Sequence, residues 1–174
     1  SGIPGVTVLC PASFAELRTG LEQALYQYEG VVAVRYPRGG EGAYYTGCGS
    51  DALADCLREG TDCTVLSYGV LVNHALEAAR RLEAEGISVR VVKLNRIAPL
   101  DGGEIAEVLR GTRRLVVLED CLARGCVGER VAALLAETGE EPERLVLKNA
   151  GESLPPQGTV PQLEHALGLD ADGV

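Results

Sequence analysis

The sequence predicts an α/β fold with a doubly wound, mostly parallel sheet. Short runs rich in Val, Ile and Leu alternate with amphipathic segments of helical length along most of the 174-residue chain. Glycines end several of these amphipathic segments, as at Gly30, Gly86 and Gly139. Strands that alternate with helices in this way are typical of βαβ units, whose strands lie parallel in one sheet.

The first part of the chain predicts a single strand–helix–strand unit. Residues 6–10 form an apolar, strand-like run. Ser13, followed three residues later by Glu16, is a capping-box pattern that predicts the start of a helix. Residues 31–34 are the next strand. Because two strands and one helix cannot cover both faces of a parallel sheet, we expect residues 1–38 to be the tail of a domain whose earlier strands lie outside this sequence.

The second part of the chain predicts a separate domain over residues 61–174, joined to the first by a linker at 39–60 that is rich in glycine and polar residues. Within it, the alternation of strands and helices is regular. We expect strands at 63–67, 87–94, 114–118 and 145–147, and helices at 70–85, 104–110, 127–137 and 160–167. This order predicts one doubly wound sheet.

Charge and hydropathy restrict the classes of partner. The formal net charge is −9, and no basic stripe offsets it, so nucleic acid is not expected as a partner. No apolar run approaches the ~18 residues that a membrane-spanning helix requires. The first residues lack the charged and apolar regions of a signal peptide. We therefore expect a cytoplasmic protein with neither a nucleic-acid nor a membrane partner.

The cysteines and histidines do not form a metal-binding pattern. The six cysteines include no Cys-x-x-Cys pair, and the chain has only two histidines. We expect no metal site, and we expect reduced thiols that pack as small apolar residues. His74 and His165 are isolated in the sequence and are predicted to lie at the surface or at the edge of the core.

The sharpest local feature is the run Arg35-Tyr36-Pro37-Arg38-Gly39, at the carboxyl end of the strand at 31–34. Ligands of open α/β sheets bind in the crevice outside such strand ends. A guanidinium group at this position can hold a phosphate by two parallel hydrogen bonds. Alternatively, Arg35 and Arg38 form ion pairs with the surplus carboxylates. The residues alone leave both interpretations open.

Two further features are interpreted as structural. The turn at 67–69 joins a strand to a helix, and the Rossmann pattern G-x-G-x-x-G is absent there. Glu119 and Asp120 stand at a strand end, before a helix that starts near 125–128. Paired carboxylates can serve acid–base chemistry. However, no His, Ser or Lys nucleophile lies close by in sequence, so a helix cap or a domain contact is favoured.

Taken in order, these motifs resemble the transketolase-like superfamily of thiamine-diphosphate enzymes. Residues 3–11 (IPGVTVLCP), 16–18 (ELR) and 34–39 (VRYPRG) are similar to the end of its pyrimidine-binding domain. Residues 66–69 (LSYG), 99–101 (PLD) and 119–120 (ED) are similar to its C-terminal domain. The closing motifs at 156–159 (PQGT) and 167–173 (LGLDADG) resemble the C-terminal end of the 1-deoxy-D-xylulose-5-phosphate synthase family.

For the intact enzyme, the resemblance implies condensation of pyruvate with glyceraldehyde 3-phosphate, with loss of carbon dioxide, on the route to isoprenoid precursors and thiamine. It implies thiamine diphosphate and Mg²⁺ as cofactors. It also implies that Arg38 holds the phosphate of the acceptor sugar, with Arg35 beside it in the candidate site. The implied partners are the remainder of the same enzyme, a second copy in a two-fold dimer, and the sugar phosphate substrate.

The family's motif for diphosphate and magnesium, Gly-Asp-Gly followed by two Asn, does not occur in this sequence. We therefore expect no catalytic, cofactor-binding or metal-binding residue on this chain, and no activity of the chain alone. One alternative is the second chain of a split transketolase, whose partner would supply the diphosphate domain. Another is a non-catalytic interaction domain in which Arg38 and the Ser67 turn bind an anion. The incomplete unit at 1–38 argues against this last alternative, because a self-sufficient module would not expose those faces.

Overall fold

Two β-sheets organise the residues that the computed structural model describes, which are 3–37 and 39–174. The strands, in chain order, are β1 (Val6–Leu9), β2 (Val31–Val34), β3 (Ala54–Arg58), β4 (Cys63–Tyr68), β5 (Val89–Leu94), β6 (Arg96–Ala98), β7 (Arg114–Leu118) and β8 (Arg144–Lys148). The helices are α1 (Phe14–Tyr26), α2 (Val72–Ala84), α3 (Gly102–Val108), α4 (Val127–Thr138) and α5 (Val160–Leu167).

The smaller sheet contains the strand–helix–strand unit that the sequence predicts. Strands β1 and β2 are parallel and are connected by α1. Ser13 caps α1 as predicted, because its hydroxyl oxygen accepts from the backbone N–H of Glu16 at 3.0 Å. The Glu16 carboxylate accepts from the backbone N–H of Ala12 at 2.7 Å and not from that of Ser13, so only this half of the predicted capping box is confirmed. The unit is less isolated than its sequence suggests. The short strand β6, which was not predicted, pairs antiparallel with β1 and joins this unit to the rest of the chain.

The larger sheet has the strand order β3-β5-β4-β7-β8. Strands β5, β4, β7 and β8 are parallel to one another, whereas the edge strand β3 runs antiparallel to β5. The mostly parallel sheet is thus confirmed. Strand β3 lies inside the stretch 39–60 that the sequence presents as a linker. Its residues show no clear apolar alternation, and it forms as an edge strand through backbone pairing with β5.

Apolar side chains cover both faces of the larger sheet, as a doubly wound fold requires. Neighbouring residues on β4 point to opposite sides. Val65 packs with Ala75 and Ala79 of α2, whereas Leu66 belongs to the cluster that includes Leu134 of α4. Both clusters are built mainly from Val, Leu and Ala. Within the described residues, we find no helix with the length and apolarity needed to cross a bilayer.

Candidate functional site

The candidate site lies at the carboxyl end of β2, beside the carboxyl ends of β4 and β7. Arg38, the predicted phosphate-binding residue, falls outside the described residues, so its role stays a prediction. Pro37 and Gly39, which flank it in the sequence, line a groove together with Tyr36 and with Phe14 at the start of α1. The backbone N–H of Phe14 donates to a carboxylate oxygen of Glu41 at 2.8 Å, which holds the loop after β2 against this helix.

Arg35 connects the two sheets at this site. Its Nη2 lies 2.5 Å from Oδ1 of Asp120, in the loop after β7, and its guanidinium carbon lies 5.6 Å from the centre of the Tyr68 ring. Burial opposes the charged form, but the attraction and hydrogen bond of Asp120 outweigh it, so the pKa of Arg35 is raised. The structure thus gives Arg35 the ion pair that was the alternative to phosphate binding, and it gives Asp120 the predicted domain contact.

Glu119 is fully buried and caps α4. Its carboxylate accepts from the backbone N–H groups of Val127 at 2.9 Å and Gly128 at 3.0 Å. It also accepts from the Tyr68 hydroxyl at 3.0 Å and from the Cys121 thiol at 3.2 Å. Burial, followed by the charge of Glu119, raises the pKa of Tyr68. Four donors satisfy this carboxylate away from water, so the structural cap is confirmed for Glu119.

Gly128 is required by the same cap. A Cβ added to this residue would lie 2.8 Å from Oε1 of Glu119 and 2.7 Å from a methyl carbon of Leu147. The turn at 67–69 is structural as well. The Ser67 hydroxyl is buried and donates to the carbonyl oxygen of Leu118 at 2.9 Å, which ties β4 to β7. This hydroxyl is therefore committed to the fold.

Sequence reasoning missed a buried ion pair between the two sheets. Nζ of Lys93, on β5, lies 2.8 Å from Oε1 of Glu16, on α1, and their side chains are 0% and 6% exposed. Lys93 also donates to Asn95, and its Nζ lies 5.6 Å from the centre of the Tyr45 ring. Glu16 accepts from the Tyr45 hydroxyl and from the backbone N–H of Ala12 at 2.7 Å. The sequence feature that could have indicated this buried pair is the lysine within the apolar strand run at 89–94.

The ion pair forms the floor of a polar cavity at the carboxyl end of β5. Gln23 of α1 and Asn95 also line this cavity. The side-chain amide nitrogen of Asn95 donates to Asp55 at 3.0 Å and to the carbonyl oxygen of Ala52 at 3.2 Å. The ionic and amide groups on its floor are thus paired within the protein. These paired groups connect α1, β5 and the segment before β3.

The six cysteines are free thiols. The prediction that they pack as small apolar residues holds for buried Cys10 and Cys126 and is wrong for Cys48 and Cys56, which are exposed. Burial raises the pKa of the Cys10 thiol to about 12. Burial, followed by the charge of Glu119, raises the pKa of the Cys121 thiol to about 12. Neither thiol is ionised near neutral pH, so neither is suited to act as a nucleophile.

The histidines occupy the predicted surroundings, and each has a carboxylate partner. His74 is partly buried and lies 3.2 Å from Glu164, while exposed His165 lies 2.6 Å from Asp170. Among the described residues, the one group of three possible metal ligands is His165, Asp170 and Asp172. Arg81 already forms an ion pair with Asp172. This group lies on the exposed C-terminal turn and includes no cysteine.

One protein family and several curated proteins are similar to this chain in sequence. The family described as "Transketolase, C-terminal domain" matches residues 52–174. The 1-deoxy-D-xylulose-5-phosphate synthase of Chlorobium phaeovibrioides is 35% identical over 176 residues, which cover 99% of this chain and 28% of that protein. The 1-deoxy-D-xylulose-5-phosphate synthase 1 of Geobacter sulfurreducens is 33% identical, with coverage of 99% and 28%. The chain therefore spans little more than a quarter of the length of these relatives.

Among solved structures, a chain of the "Split gene transketolase, inactive beta4 tetramer" has a TM-score of 0.82 and 32% sequence identity. The match covers 99% of this chain and 55% of that one. A mutant transketolase from Pichia stipitis, in complex with a fructose phosphate, has a TM-score of 0.72 at 16% identity. This match covers 99% of this chain and 24% of the Pichia chain. This second likeness concerns the fold alone.

Proposed function

The chain belongs to the transketolase C-terminal domain family. We propose that it is the C-terminal part of a 1-deoxy-D-xylulose-5-phosphate synthase. The reaction proposed for the whole protein is the condensation of pyruvate with glyceraldehyde 3-phosphate. The observation that carries this proposal is the extent of the similarity to such synthases, which covers 99% of the chain at 35% identity. It includes the strand–helix–strand unit at 6–34, which precedes the matched family domain at 52–174.

Within that enzyme, we assign Arg38 to the phosphate of the acceptor sugar. It follows Tyr36 and Pro37 at the carboxyl end of β2, where ligands of α/β sheets bind. Arg35 has a positioning role, because Asp120 and Tyr68 hold its guanidinium group. Through this anchor, the loop after β2 keeps a fixed place relative to the larger sheet.

The residues of this chain do not fit the binding of thiamine diphosphate with Mg²⁺. The sequence has no Gly-Asp-Gly motif. In the group formed by His165, Asp170 and Asp172, two of the three residues are exposed, and Arg81 forms an ion pair with Asp172. We propose that the remainder of the enzyme binds both cofactors, and that this chain alone is inactive.

We propose that this chain also serves assembly, through one apolar surface of the small sheet. Strand β2 is an edge strand, and large apolar side chains on it and on α1 are exposed. These side chains are Phe14, Leu21, Leu25, Tyr26 and Val31. An exposed patch of this kind marks an interaction surface, because burying it removes apolar area from water. The remainder of the same enzyme is the proposed partner here, and a second copy completes a dimer.

The test uses the intact enzyme and two arginine substitutions. Arg38→Ala removes a charge-assisted phosphate contact, which is worth ~1.5–3 kcal/mol, so kcat/KM for glyceraldehyde 3-phosphate falls roughly ten- to a hundredfold. The KM for pyruvate changes far less. Arg35→Ala has a smaller effect, and Arg130→Ala, at an exposed position on α4, is the matched control. An equal loss for both substrates with Arg38→Ala would mean that this residue only supports the fold.

One alternative has specific support, which is the second chain of a split transketolase. This chain covers 55% of the solved split-gene chain, and the two match with a TM-score of 0.82 and 32% identity. The intact mass of the protein made in its native cell separates the alternatives. A mass near that of a full-length synthase supports the leading proposal. A shorter mass, together with activity restored by a separate chain that carries the Gly-Asp-Gly motif, supports the split enzyme.

A further inference from the structure

A second charged cleft lies at the opposite edge of the larger sheet, where β4, β5 and β7 begin. We call it the arginine cleft, because Arg90, Arg110, Arg113 and Arg114 line it. Its volume is about 330 Å³, which is the scale of pockets that hold small molecules. Neither the candidate site nor the buried ion pair uses any of these residues.

The cleft concentrates positive charge on an acidic protein. Four arginines face two carboxylates, those of Glu59 and Asp62, on a chain whose formal net charge is −9. Arg110 pairs with Glu107 and Arg113 with Glu143 at 2.7 Å, but both pairs are exposed to water. Exposed ion pairs contribute little and are easily exchanged. These two guanidinium groups are therefore available to a bound anion.

The other two arginines are poorly matched inside the protein. Arg90 has a side chain that is 21% exposed, and its buried Nε has no hydrogen-bond partner among the described residues. A carboxylate oxygen of Glu59 lies 4.0 Å from this nitrogen. The Arg114 guanidinium makes one long contact, to the carbonyl oxygen of Asp62 at 3.4 Å. The Arg90 side chain thus lacks a close partner among the described residues, and the exposed Arg114 side chain has only a long one, so neither guanidinium group is committed to the fold.

The walls of the cleft are held in place without a ligand. A Cβ at Gly60 would lie 2.2 Å from the backbone nitrogen of Arg90, so the loop before β4 can approach β5 this closely only with glycine. Asp62 and Ser88 exchange two hydrogen bonds, at 2.9 and 2.7 Å. A preorganised site loses less conformational freedom when a ligand binds.

We propose that the arginine cleft binds a phosphate or diphosphate group of a small molecule. Guanidinium groups offer paired N–H donors that match phosphate oxygens, and several of them together favour a multiply charged anion. Strand β4 runs from Cys63 at this cleft to Tyr68 beside Arg35, a distance of about 17 Å at the rise of a β-strand. The cleft is therefore a separate site from the one proposed for the acceptor sugar.

The test is calorimetric titration of the chain with inorganic pyrophosphate at low and at moderate salt, without magnesium. We expect saturable binding that weakens as the salt concentration rises. Arg90→Gln and Arg114→Gln should each raise the Kd about tenfold or more, because each removes a charge-assisted contact. Arg130→Gln is the matched control, since Arg130 forms an exposed pair with Glu137 outside the cleft.

Arg113→Gln guards against a folding defect in the Arg90→Gln variant, whose side chain is partly buried. The Arg113 side chain is exposed, so the substitution leaves the fold intact, and we expect a Kd raised about threefold. Amide chemical shifts should move at Gly60 and Thr112 when pyrophosphate binds. A parallel titration with ADP distinguishes the source of the phosphate. A lower Kd for ADP than for pyrophosphate indicates that the cleft recognises a nucleotide. Equal Kd values indicate that it recognises the phosphates alone. No binding by the native chain at millimolar pyrophosphate, or equal affinity in all four variants, would overturn the proposal.

Discussion

Replacing Lys93 with methionine removes the cation from the buried pair while keeping a long, unbranched side chain. The carboxylate of Glu16 then stays in the interior without its counter-charge, because the side chain is only 6% exposed. It keeps two hydrogen bonds, from the Tyr45 hydroxyl and from the backbone N–H of Ala12 at 2.7 Å. The perturbation therefore isolates the loss of one charge from the loss of packing.

The magnitude follows from the burial of both partners. Removing one partner of a buried ion pair destabilises a protein by ~3–5 kcal/mol, since the remaining charge is desolvated and unpaired. Because Glu16 keeps two hydrogen bonds, we expect the free energy of unfolding to fall by about 3 kcal/mol, at the lower end of this range. The whole free energy of unfolding of a domain is ~5–15 kcal/mol, so this loss is a large fraction of it. In the double variant Glu16→Gln/Lys93→Met no buried charge is left unpaired, and we expect ~2 kcal/mol to be regained.

The assay is urea unfolding followed by circular dichroism, which yields the free energy of unfolding and its slope with urea. Arg18→Gln is the control, because it breaks the pair between Arg18 and Glu22, whose side chains are 83% and 62% exposed. This control should change the free energy of unfolding by ~0.5 kcal/mol or less. A loss below ~1 kcal/mol for Lys93→Met, or no recovery in the double variant, would contradict the argument that the pair is desolvated.

Three further predictions follow from the structure. Glu119→Gln should destabilise the chain by ~2 kcal/mol, measured as a lowered midpoint of urea unfolding, because a charged acceptor of four donors becomes a neutral amide. In thiol labelling at pH 8, the exposed Cys48 and Cys56 should react first. Buried Cys10, whose pKa is raised to about 12, should react only after unfolding. Fast labelling of Cys10 in the folded chain would contradict its burial. We also expect the isolated chain to associate at micromolar concentration in sedimentation, or else to be cleaved by trypsin within residues 1–38. A monomer that resists trypsin there would refute this last expectation.

The sequence by itself determined the fold class and the local boundaries of this protein. The capping pattern at Ser13 and Glu16 predicted the start of α1, and the apolar runs predicted β4, β5 and β7. These signals are readable because they depend on neighbouring residues, namely the period of apolar side chains and the hydrogen bonds of a helix end. The motifs along the chain also identified the transketolase family, since they recur in the same order.

Only the tertiary structure decided which distant groups meet. Strand β6 could pair with β1, and β3 with β5, because backbone hydrogen bonds at a sheet edge make few demands on side chains. The sequence assigned Glu16 only to a helix cap, and its ion pair with Lys93 became visible only in the tertiary structure. Asp120 lies 85 positions from Arg35.

The arginine cleft has the same origin. Its four guanidinium groups come from the start of β5 and from the turn that leads into β7, and no local pattern relates these segments. Periodicity records which face of an element is buried, whereas the strand order decides which strand ends become neighbours. Charge pairing between elements therefore depends on the packing of the whole chain, and it is the part of this protein that its sequence alone did not reveal.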